Sequence, residues 1–499
     1  MSPDQLSSLS PTGGEGRGEG KPTTTLAPAL VVLALLASCT AFDPVVIKDQ
    51  EHLPDVYATL GDTPDAGAPA QLDWGTWFGD PHLRALVGEA LEHNQSLAMA
   101  VERVDLARAG VTRATGALFP RLDVGVGAGV RKYGLYTMDG AGNATTDIVP
   151  NQRVPVHLGD FALSLQASWE ADLWGKLRHQ KHAAASQVLA SVEGVHLVAT
   201  GLVAEVATAW FELRALDRMR EVLSRTIAHQ QVALEVVKTQ RSVGRATELA
   251  VQQFEAQLLE TTALEVQVAQ RVVEAEGRLN TLLGRFPRPI ERPRLDDFTP
   301  AGSGAAGVPA ELLRNRPDVR QAEAQLEATR FDVKSAQAAF FPNLNLGASV
   351  GLQAFDPAYL ARLPESLIYN FLGGLVAPLL NRSALEAQLD GAKASQREAM
   401  YGYQRTVLAA YVEVVTSLAN QQSTARVLAL KRQQREEQAE MIDTADALYR
   451  AGKATWLEVL LAQQNALATE LELIESWRQQ HVAAVTLYKA LGGGWQSRP

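Results

Sequence analysis

The chain has 499 residues, of which 46% are hydrophobic and 20% charged, a balance typical of a folded protein rather than a disordered one. Its formal net charge of −10 argues against nucleic acid as a partner, because binding to phosphate needs a basic face. The single cysteine, Cys39, excludes an internal disulfide framework and a cysteine-based zinc site. Aromatic residues make up only 6%, and stretches rich in Ala, Leu, Gln, Glu and Val favour long helices.

The first forty residues have the features of a secretory signal. An apolar run of about a dozen residues, from Leu26 to Ala37, follows Arg17 and Lys21 and is too short to span a bilayer as a helix. It ends in Leu-Ala-Ser before Cys39, which resembles the bacterial lipobox, where the thiol is acylated and the chain is cleaved in front of it. The alternative is a buried structural cysteine at the end of an ordinary helix, but no amphipathic period surrounds it.

The residue after the cysteine is Thr40. By the lipoprotein sorting convention an Asp here would indicate the inner membrane, so we predict delivery to the outer membrane. We expect a signal peptide over residues 1–38, a lipidated segment over residues 39–80, a covalent lipid on Cys39 and no other cofactor. The Gly-rich stretch before Lys21 is unusually long for a signal, which raises the alternative of a translation start further along the chain.

The chain contains two copies of one unit. Phe119-Pro120 is matched by Phe341-Pro342, 222 residues later, and Gly244 is matched by Gly452, 208 residues later. The smaller second offset places a longer loop in the first copy, between residues 131 and 159, where length changes cost least. We predict a first repeat over residues 81–284, a linker over 285–307, a second repeat over 308–491 and a tail over 492–499.

Each repeat is predicted to begin with a helix of about 35 residues, 81–118 or 308–339, that ends at the Phe-Pro pair because proline cannot continue a helix. Alternation of apolar with small or polar residues then predicts two strands in each copy. The four strands are expected near residues 121–131, 160–170, 343–353 and 366–378. Strands of roughly ten residues can cross a membrane when tilted. Four strands cannot close a barrel and open edges are not tolerated in lipid, so other copies of the chain must complete it.

A very long helix is predicted after each pair of strands. No proline interrupts residues 175–244 or 383–452, and apolar residues recur at three- and four-residue steps, which predicts helices of about 100 Å. Each helix turns at a glycine, Gly244 or Gly452, and returns for about 38 residues. The predicted fold is therefore mixed α+β, with a duplicated unit of long coiled-coil helical hairpins and a β-hairpin.

These features together resemble the TolC-type outer-membrane efflux factors, specifically their lipoprotein branch, over nearly the whole mature chain. The motifs that carry the resemblance are DWGTWFGDPHL from Asp73, the two Phe-Pro strand entries, WEADLWGKLR from Trp169, RNRPDVRQAE from Arg314 and YRAGKATWLEVLLAQQ from Tyr449. The resemblance implies a homotrimer that forms a 12-stranded β-barrel in the outer membrane, continuous with an α-helical tunnel in the periplasm. It implies the channel of a tripartite efflux pump, which passively conducts toxic small molecules outward, with a periplasmic adaptor and an inner-membrane pump as partners.

The resemblance also places the periplasmic opening and the adaptor contacts at two helical tips. The tips comprise Val243, Gly244, Arg245, Ala451, Gly452 and Lys453. Family members commonly carry two acidic residues one turn apart after the second tip glycine, and these form rings in the closed pore. Here those positions hold Glu458 and Leu461, so we expect a gate with one carboxylate ring, which would attract cations, and a hydrophobic ring. The alternative for Glu458 is an ordinary solvated carboxylate on a helix surface.

Motifs for catalysis or nucleotide binding do not support an enzyme. The sequence has no HExxH or GxxxxGK[ST] pattern, and GVGAG at residues 125–129 has the wrong spacing for a dinucleotide loop. His179 and His182 lie three residues apart without an evident third ligand, so we expect no metal site. Two other functions stay open: a duct of the same architecture for protein secretion, and a structural coiled-coil lipoprotein without a pore.

Overall fold

The computed structural model describes Pro54, residues 74–294 and residues 312–495, apart from residues 379, 381 and 494. The predicted signal peptide, Cys39 and most of the predicted segment 39–80 lie outside these residues. Residues 295–307 of the predicted linker and residues 496–499 of the predicted tail also lie outside them.

The elements follow the predicted repeat. The first copy contains α1 (Trp74–Phe78), α2 (Pro81–His93), α3 (Gln95–Gly116), β1 (Arg121–Arg131), α4 (Met138–Thr145), β2 (Asp147–Val149), β3 (Gln152–Arg153), β4 (Leu158–Ala171), α5 (Lys176–Ser242) and α6 (Glu248–Leu282). The second copy contains α7 (Leu312–Asn315), α8 (Pro317–Ala338), β5 (Asn343–Ala354), α9 (Pro357–Leu360), β6 (Leu367–Val376), α10 (Arg382–Arg450) and α11 (Trp456–Ala490). The short elements α4, β2 and β3 occupy the longer loop of the first copy and were not predicted from the sequence.

The long helices confirm the predicted fold class. Helix α5 has 67 residues and α10 has 69, and their return helices α6 and α11 have 35 each. At 1.5 Å per residue the longer helices extend about 100 Å. The mixed α+β fold with a duplicated unit of helical hairpins is therefore the observed one.

The prediction of one continuous helix over residues 81–118 is wrong, because the helix breaks at Asn94. Asn94 has an extended backbone (ψ 125°), and its side chain accepts a hydrogen bond from the Leu97 N–H at 3.0 Å, which caps α3. Its amide also donates to the Leu282 carbonyl at the end of α6, at 2.9 Å. The second copy breaks likewise at Arg316, ahead of Pro317, where an extended backbone is favoured.

The four long strands form one sheet in the order β1-β4-β5-β6, with every neighbouring pair antiparallel. Strands β1 and β6 are the edges, and each has a single partner strand among the described residues. Nothing in the described chain packs over either face of β6, whose residues are all exposed. The sheet therefore carries two open edges, as the strand count predicted.

The long helices form a row in the order α10, α11, α5, α6, as their contacts show. Helix α5 is the central one, since α2, α3, α6, α8 and α11 all pack against it. It is also long and apolar enough to cross a membrane, but its apolar stretch supplies the main core, including Leu202, Val206 and Trp210. A third of this stretch is buried, so packing against the neighbouring elements accounts for part of the apolar character of α5.

The junction between sheet and helices is built by the WEADLWGKLR motif. The indole N–H of Trp169 donates to the Leu118 carbonyl at 3.0 Å, and that of Trp174 donates to the Pro342 carbonyl at 2.8 Å. Asp172 accepts from the Arg178 N–H at 2.9 Å, and so satisfies one of the free donors at the start of α5. The motif therefore ties β4 and α5 to the entry of both hairpins.

Glycines at the ends of the return helices permit the close packing on the two helix breaks. Gly284 has φ +69°, and a Cβ built on it would lie 2.2 Å from the His93 carbonyl oxygen. Gly492 has φ +82°, and its Cβ would lie 2.7 Å from the Asn315 carbonyl oxygen. Both the left-handed backbone and the close contact require glycine at these positions.

Replacement of Gly284 by alanine should therefore destabilise the protein, by about 2 kcal/mol or more, because strain and a backbone clash act together. Gly277→Ala is the matched control, since Gly277 lies within α6 and a Cβ added there would meet no atom within 4 Å. That control should raise stability by up to about 1 kcal/mol. Thermal unfolding followed by circular dichroism in detergent would measure both, and equal shifts for the two variants would contradict the prediction.

Candidate functional site: channel wall and periplasmic tips

The sheet has one apolar face and one face of small or polar residues. On β1, Leu122, Val124 and Val126 lie on one face and are 67%, 68% and 81% exposed. The register places them beside Ala167, Leu165 and Leu163 of β4, which continue the same face. Exposed aliphatic side chains over a whole sheet face suit contact with lipid chains.

The opposite face consists largely of small and polar side chains. Asp123 pairs with Gln166, which pairs in turn with Ser349 and then Asn370, so these four residues lie in one row across the sheet. Gly125, Gly127 and Gly129 of β1 lie on the same face. Strand β6 is the exception, because Ile368, Leu372 and Val376 are apolar on this face too. A mainly hydrophilic face with few large side chains suits the wall of a wide aqueous pore.

The few charged residues on the polar face lie near the ends of their own strands. At one end Gln353 donates to Asp160 at 2.6 Å, and Arg131 lies 3.9 Å from the same carboxylate. At the other end Arg121 and Asp123 form an ion pair at 2.8 Å. Between these ends the four strands present Gly, Ala, Ser, Gln, Asn, Ile and Leu on this face. Asp123, however, shares its row with Gln166, Ser349 and Asn370, so one paired carboxylate lies on this face level with the middle of β5.

Two glycine motifs that suggest enzymes are strand segments. GVGAG lies within β1, and GASVG at residues 347–351, which has the spacing of a hydrolase nucleophile motif, lies within β5. Ser349 pairs with Gln166 and Asn370 in the middle of the sheet, whereas a nucleophile elbow is a sharp turn between a strand and a helix. Neither motif therefore forms the loop its chemistry would require.

The predicted tips form tight turns closed by glycine. Gly244 has φ +74° and Gly452 has φ +69°. The Arg245 N–H donates to the Gln240 carbonyl at 2.8 Å, and the Lys453 N–H donates to the Leu448 carbonyl at 2.9 Å. These bonds satisfy carbonyls at the ends of α5 and α10, as in a helix-ending glycine motif. The remaining predicted tip residues are consequently held, exposed, at the ends of the two hairpins, namely Val243, Arg245, Ala451 and Lys453.

The structure brings the two tips side by side. The Tyr449 hydroxyl donates to the Gln240 side-chain carbonyl at 2.8 Å, across the two hairpins. Below this bond an apolar cluster joins α5, α6 and α11, with the rings of Phe254 and Trp456 6.3 Å apart. Gln464 donates to Gln257 within the same contact region. The contact between Tyr449 and Gln240 was not predicted, although Tyr449 begins one of the motifs that carry the resemblance.

Glu458 caps the start of α11. Its carboxylate accepts hydrogen bonds from the Thr455 N–H, as in a capping box, and, at 2.9 Å, from the Thr455 hydroxyl. The bond from the Thr455 N–H, followed by that from its hydroxyl, lowers the pKa of Glu458. Glu458 is exposed, and Leu461, 47% exposed, follows one turn later on the same helix. The first repeat has Ala250 and Gln253 at the equivalent places, and its carboxylate Glu248, two residues before Ala250, forms an ion pair with Arg241.

His179 and His182 are explained by packing. Their rings stack on Phe331, with centroids 6.2 Å and 5.1 Å away. Burial, followed by the nearby charge of Lys334, lowers the pKa of His179. Within residues 74–294 and 312–495, no three His, Cys, Asp or Glu side chains are grouped to hold a metal ion.

A buried polar cluster, not predicted from the sequence, anchors the segment that enters α2. The Trp210 indole N–H donates to Asp80 at 2.9 Å, and Arg214 approaches the same carboxylate at 3.5 Å. Beside Arg214 the ring of His481 lies against Trp477, with centroids 4.3 Å apart. Burial lowers the pKa of His481 to about 4, so this histidine is neutral at pH 7. Asp80 therefore binds this segment to α5, and Trp77 and Phe78 pack on Tyr488 of α11.

An open-edged sheet with a lipid-facing and a water-facing side, continued by a helical wall of about 100 Å, defines an outer-membrane channel with a periplasmic tunnel. The model of the outer membrane efflux protein family matches residues 86–285 and 308–493. The chain belongs to this family, which is one of efflux channels and not of enzymes. The two matched stretches correspond to the two structural repeats.

Individual relatives agree with this membership. The chain is 33% identical over 427 residues to the pyoverdine export outer membrane protein OpmQ of Pseudomonas aeruginosa, covering 85% of this chain and 88% of the relative. It is 28% identical over 425 residues to the cation efflux system protein CusC of Escherichia coli, covering 85% and 88%. Among solved structures, it resembles a membrane protein from Pseudomonas aeruginosa (TM-score 0.79, 25% identity, covering 90% and 99%) and CusC (TM-score 0.77, 25% identity, covering 89% and 97%). The predicted family and the outer-membrane efflux function are confirmed.

Proposed function

We propose that the chain is the outer-membrane channel of a tripartite efflux pump and passively conducts toxic small molecules from the periplasm to the exterior. The observation that carries this proposal is the two-faced sheet, apolar on one side and small or polar on the other, joined directly to the helical wall. A structural coiled-coil lipoprotein would need no such sheet. Protein secretion through the same architecture is the second candidate, and the cargo distinguishes the two.

The channel is proposed to be a homotrimer. The edges of β1 and β6 expose backbone donors and acceptors that lipid cannot satisfy, so another copy must pair with each edge. Strand β6 runs antiparallel to β5, and the alternation of directions makes β6 antiparallel to the β1 of the next copy. Three copies supply twelve strands, which close into a barrel wide enough for an aqueous pore.

An adaptor and an inner-membrane pump are proposed as partners. A passive duct has no energy source of its own, and the sequence contains no P-loop for nucleotide hydrolysis. The tips offer exposed groups of different chemistry for adaptor contact, namely the apolar Val243 and the cationic Arg245 and Lys453. We propose no catalytic activity and no cofactor other than the lipid.

The cargo is proposed to be small molecules. Similar proteins are named for pyoverdine export, cation efflux and toluene efflux, so the shared architecture serves cargoes of different charge. In this chain the polar face of the sheet agrees with such breadth, because most of its side chains are small or uncharged and its few charged residues include both signs.

Deletion of the gene should make cells hypersensitive to one class of exported compound. Survival of the deletion strain would be measured against hydrophobic drugs, solvents, detergents and copper or silver ions, together with siderophore release into the medium. A wild-type gene on a plasmid should restore the parental profile. An unchanged profile combined with the loss of a secreted protein from the medium would favour the secretion duct instead.

A lipid anchor is proposed at Cys39, because the Leu-Ala-Ser-Cys sequence follows a short apolar run. Growth in labelled palmitate should label the wild-type protein, and Cys39→Ser should abolish the label. Since the barrel itself inserts in the membrane, the variant should still be recovered in the membrane fraction where it is exported. A label retained by Cys39→Ser would show that the lipid is attached elsewhere.

Glu458 and Leu461 are proposed as the gate near the tips, where three copies would place one carboxylate ring and one leucine ring. Glu458→Gln should lower cation preference in planar-bilayer recordings, because it removes the charge and keeps an oxygen that can accept from Thr455. Glu458→Ala should lower the preference equally and should also reduce thermal stability, because the capping box at the start of α11 is lost. Unchanged ion selectivity in both variants would leave Glu458 with its capping role alone.

A further inference from the structure

A cavity of about 620 Å³ lies between α5, α6 and α11. By the helical rise it lies about 30 to 45 Å above the tips. Its floor is apolar and consists of Ala215, Leu216 and Ala275, which are buried, and Met219, which is half-buried. Its remaining lining is charged and consists of Arg271, Arg278, Arg478, Glu212, Glu274 and Glu475. An apolar floor with charged groups around it suits a ligand that has an apolar part and a charged part.

Two of the three arginines are engaged in ion pairs. Arg278 of α6 pairs with Glu212 of α5, and this pair joins the two helices across the cavity. Arg478 donates to both oxygens of Glu475, at 2.9 Å and 2.5 Å. These two carboxylates therefore have cationic partners within the chain.

Arg271 is the arginine that stays available to a ligand. It is exposed, and it forms no ion pair or hydrogen bond with its side chain among residues 74–294 and 312–495. Burial raises the pKa of Glu475, but the bonds from Arg478 and Gln479, together with the charges of Arg478 and Arg271, lower it overall. Arg271 of α6 therefore faces α11 across the cavity with its five N–H donors unused.

The cavity opens on the side of the helical wall opposite the linker. Arg292 of the linker bonds Asp217 of α5 and Glu276 of α6. At about 100° per residue, Met219 points about 160° away from Asp217 around α5. Arg278 likewise points about 160° away from Glu276 around α6. The cavity and the linker therefore lie on opposite faces of the wall.

The face that bears the linker is the outer one. Trp210 and Arg214 bind Asp80 of the segment that enters α2. Both lie within about 60° of Asp217 around α5, so this segment and the linker cover the same face. A chain tethered to lipid at Cys39, as proposed above, reaches the wall from outside the barrel. The cavity on the opposite face therefore opens into the lumen of the tunnel.

We propose that this cavity is a luminal subsite for amphiphilic organic anions, in which Arg271 binds the anionic group and the apolar floor holds the hydrocarbon part. The inference rests on the proposed channel and names a class of cargo for it. A guanidinium binds carboxylate, sulfonate or phosphate oxygens through two parallel hydrogen bonds. Conduction also requires release of the solute, and an exposed guanidinium binds an anion weakly enough to allow it.

Glu274 distinguishes an anionic ligand from a cationic one. It lines the cavity three residues after Arg271 and accepts from the Gln270 amide at 3.1 Å. Its carboxylate repels a bound anion, so its removal should strengthen the binding of an anion. The same removal would weaken the binding of a cation.

Calorimetric titration of the purified full chain in a nonionic detergent tests the subsite, with naphthalene-2-sulfonate as the probe. The wild type should bind one equivalent per chain. Arg271→Gln should raise the dissociation constant at least about tenfold, because the charged bonds to the sulfonate are lost. Glu274→Gln should lower the dissociation constant. The cation 2-naphthylmethylammonium, with the same apolar part, should bind the wild type at least about tenfold more weakly than the sulfonate.

Arg288→Gln is the matched control for Arg271→Gln. Arg288 is 63% exposed in the linker on the outer face, and its replacement removes the same charge. This variant should bind naphthalene-2-sulfonate as the wild type does. Equal effects of the two arginine substitutions, equal affinity of the wild type for the two probes, or weaker sulfonate binding by Glu274→Gln would each overturn the subsite. Circular dichroism would show that every variant compared is folded.

Planar-bilayer recordings separate failure of the subsite from failure of the channel. The wild type should conduct, and Arg271→Gln should shift its ion selectivity towards cations because a positive charge is lost from the lumen. Arg288→Gln should leave the selectivity unchanged. A wild type that does not conduct would overturn the proposed channel and the luminal subsite with it. A conducting wild type whose selectivity Arg271→Gln does not change would overturn the subsite alone.

Discussion

Backbone hydrogen bonding at the edges of one four-stranded sheet is the constraint on which the rest of the molecule depends. A strand edge in water can bond to solvent, but an edge in lipid has no such partner. The chain presents an unpaired edge on β1 and another on β6, while its two faces differ as lipid and water require. Assembly is therefore a condition of the fold within the membrane and not an addition to it.

Both repeats contain a helix break on which a glycine packs, but different residues form the break in each repeat. In the first copy Asn94 breaks the helix and Gly284 packs on the break; in the second copy Arg316 and Gly492 take these places. Arg316 is largely buried, and it donates to the Ala490 carbonyl at 2.6 Å and forms ion pairs with Asp318 and Glu413. Burial works against the charge of Arg316, but the bonds to Asp318 and Glu413 outweigh it and raise the pKa of the guanidinium. The amide of Asn94 and the guanidinium of Arg316 can thus stabilise equivalent helix breaks, provided that the polar atoms of each side chain have hydrogen-bond or ion-pair partners.

Features that follow from periodic or local sequence patterns could be predicted from the sequence, and features that depend on tertiary contacts could not. The strand at Arg121–Arg131 and the turns at Gly244 and Gly452 follow from alternation, proline placement and glycine. The break at Asn94 was missed because its cause is a contact with Leu282, 188 residues away. The capping role of Glu458 could have been predicted, since Thr455 lies three residues before it in a pattern typical of helix N-termini. The hydrogen bond between Tyr449 and Gln240 could not be predicted, because no local sequence pattern indicates which hairpins are neighbours.

The distribution of charge along the channel indicates where selection can occur. The polar face of the barrel wall bears few charged residues, and its Asp123 is paired with Arg121, so a solute there meets mainly backbone, hydroxyl and amide groups. Near the tips, in contrast, Glu458 is held ionised by its bonds to Thr455, and its position at a helix start is favourable for a negative charge. The same carboxylate therefore stabilises α11 and presents charge to solvent, and neither task requires it to be buried.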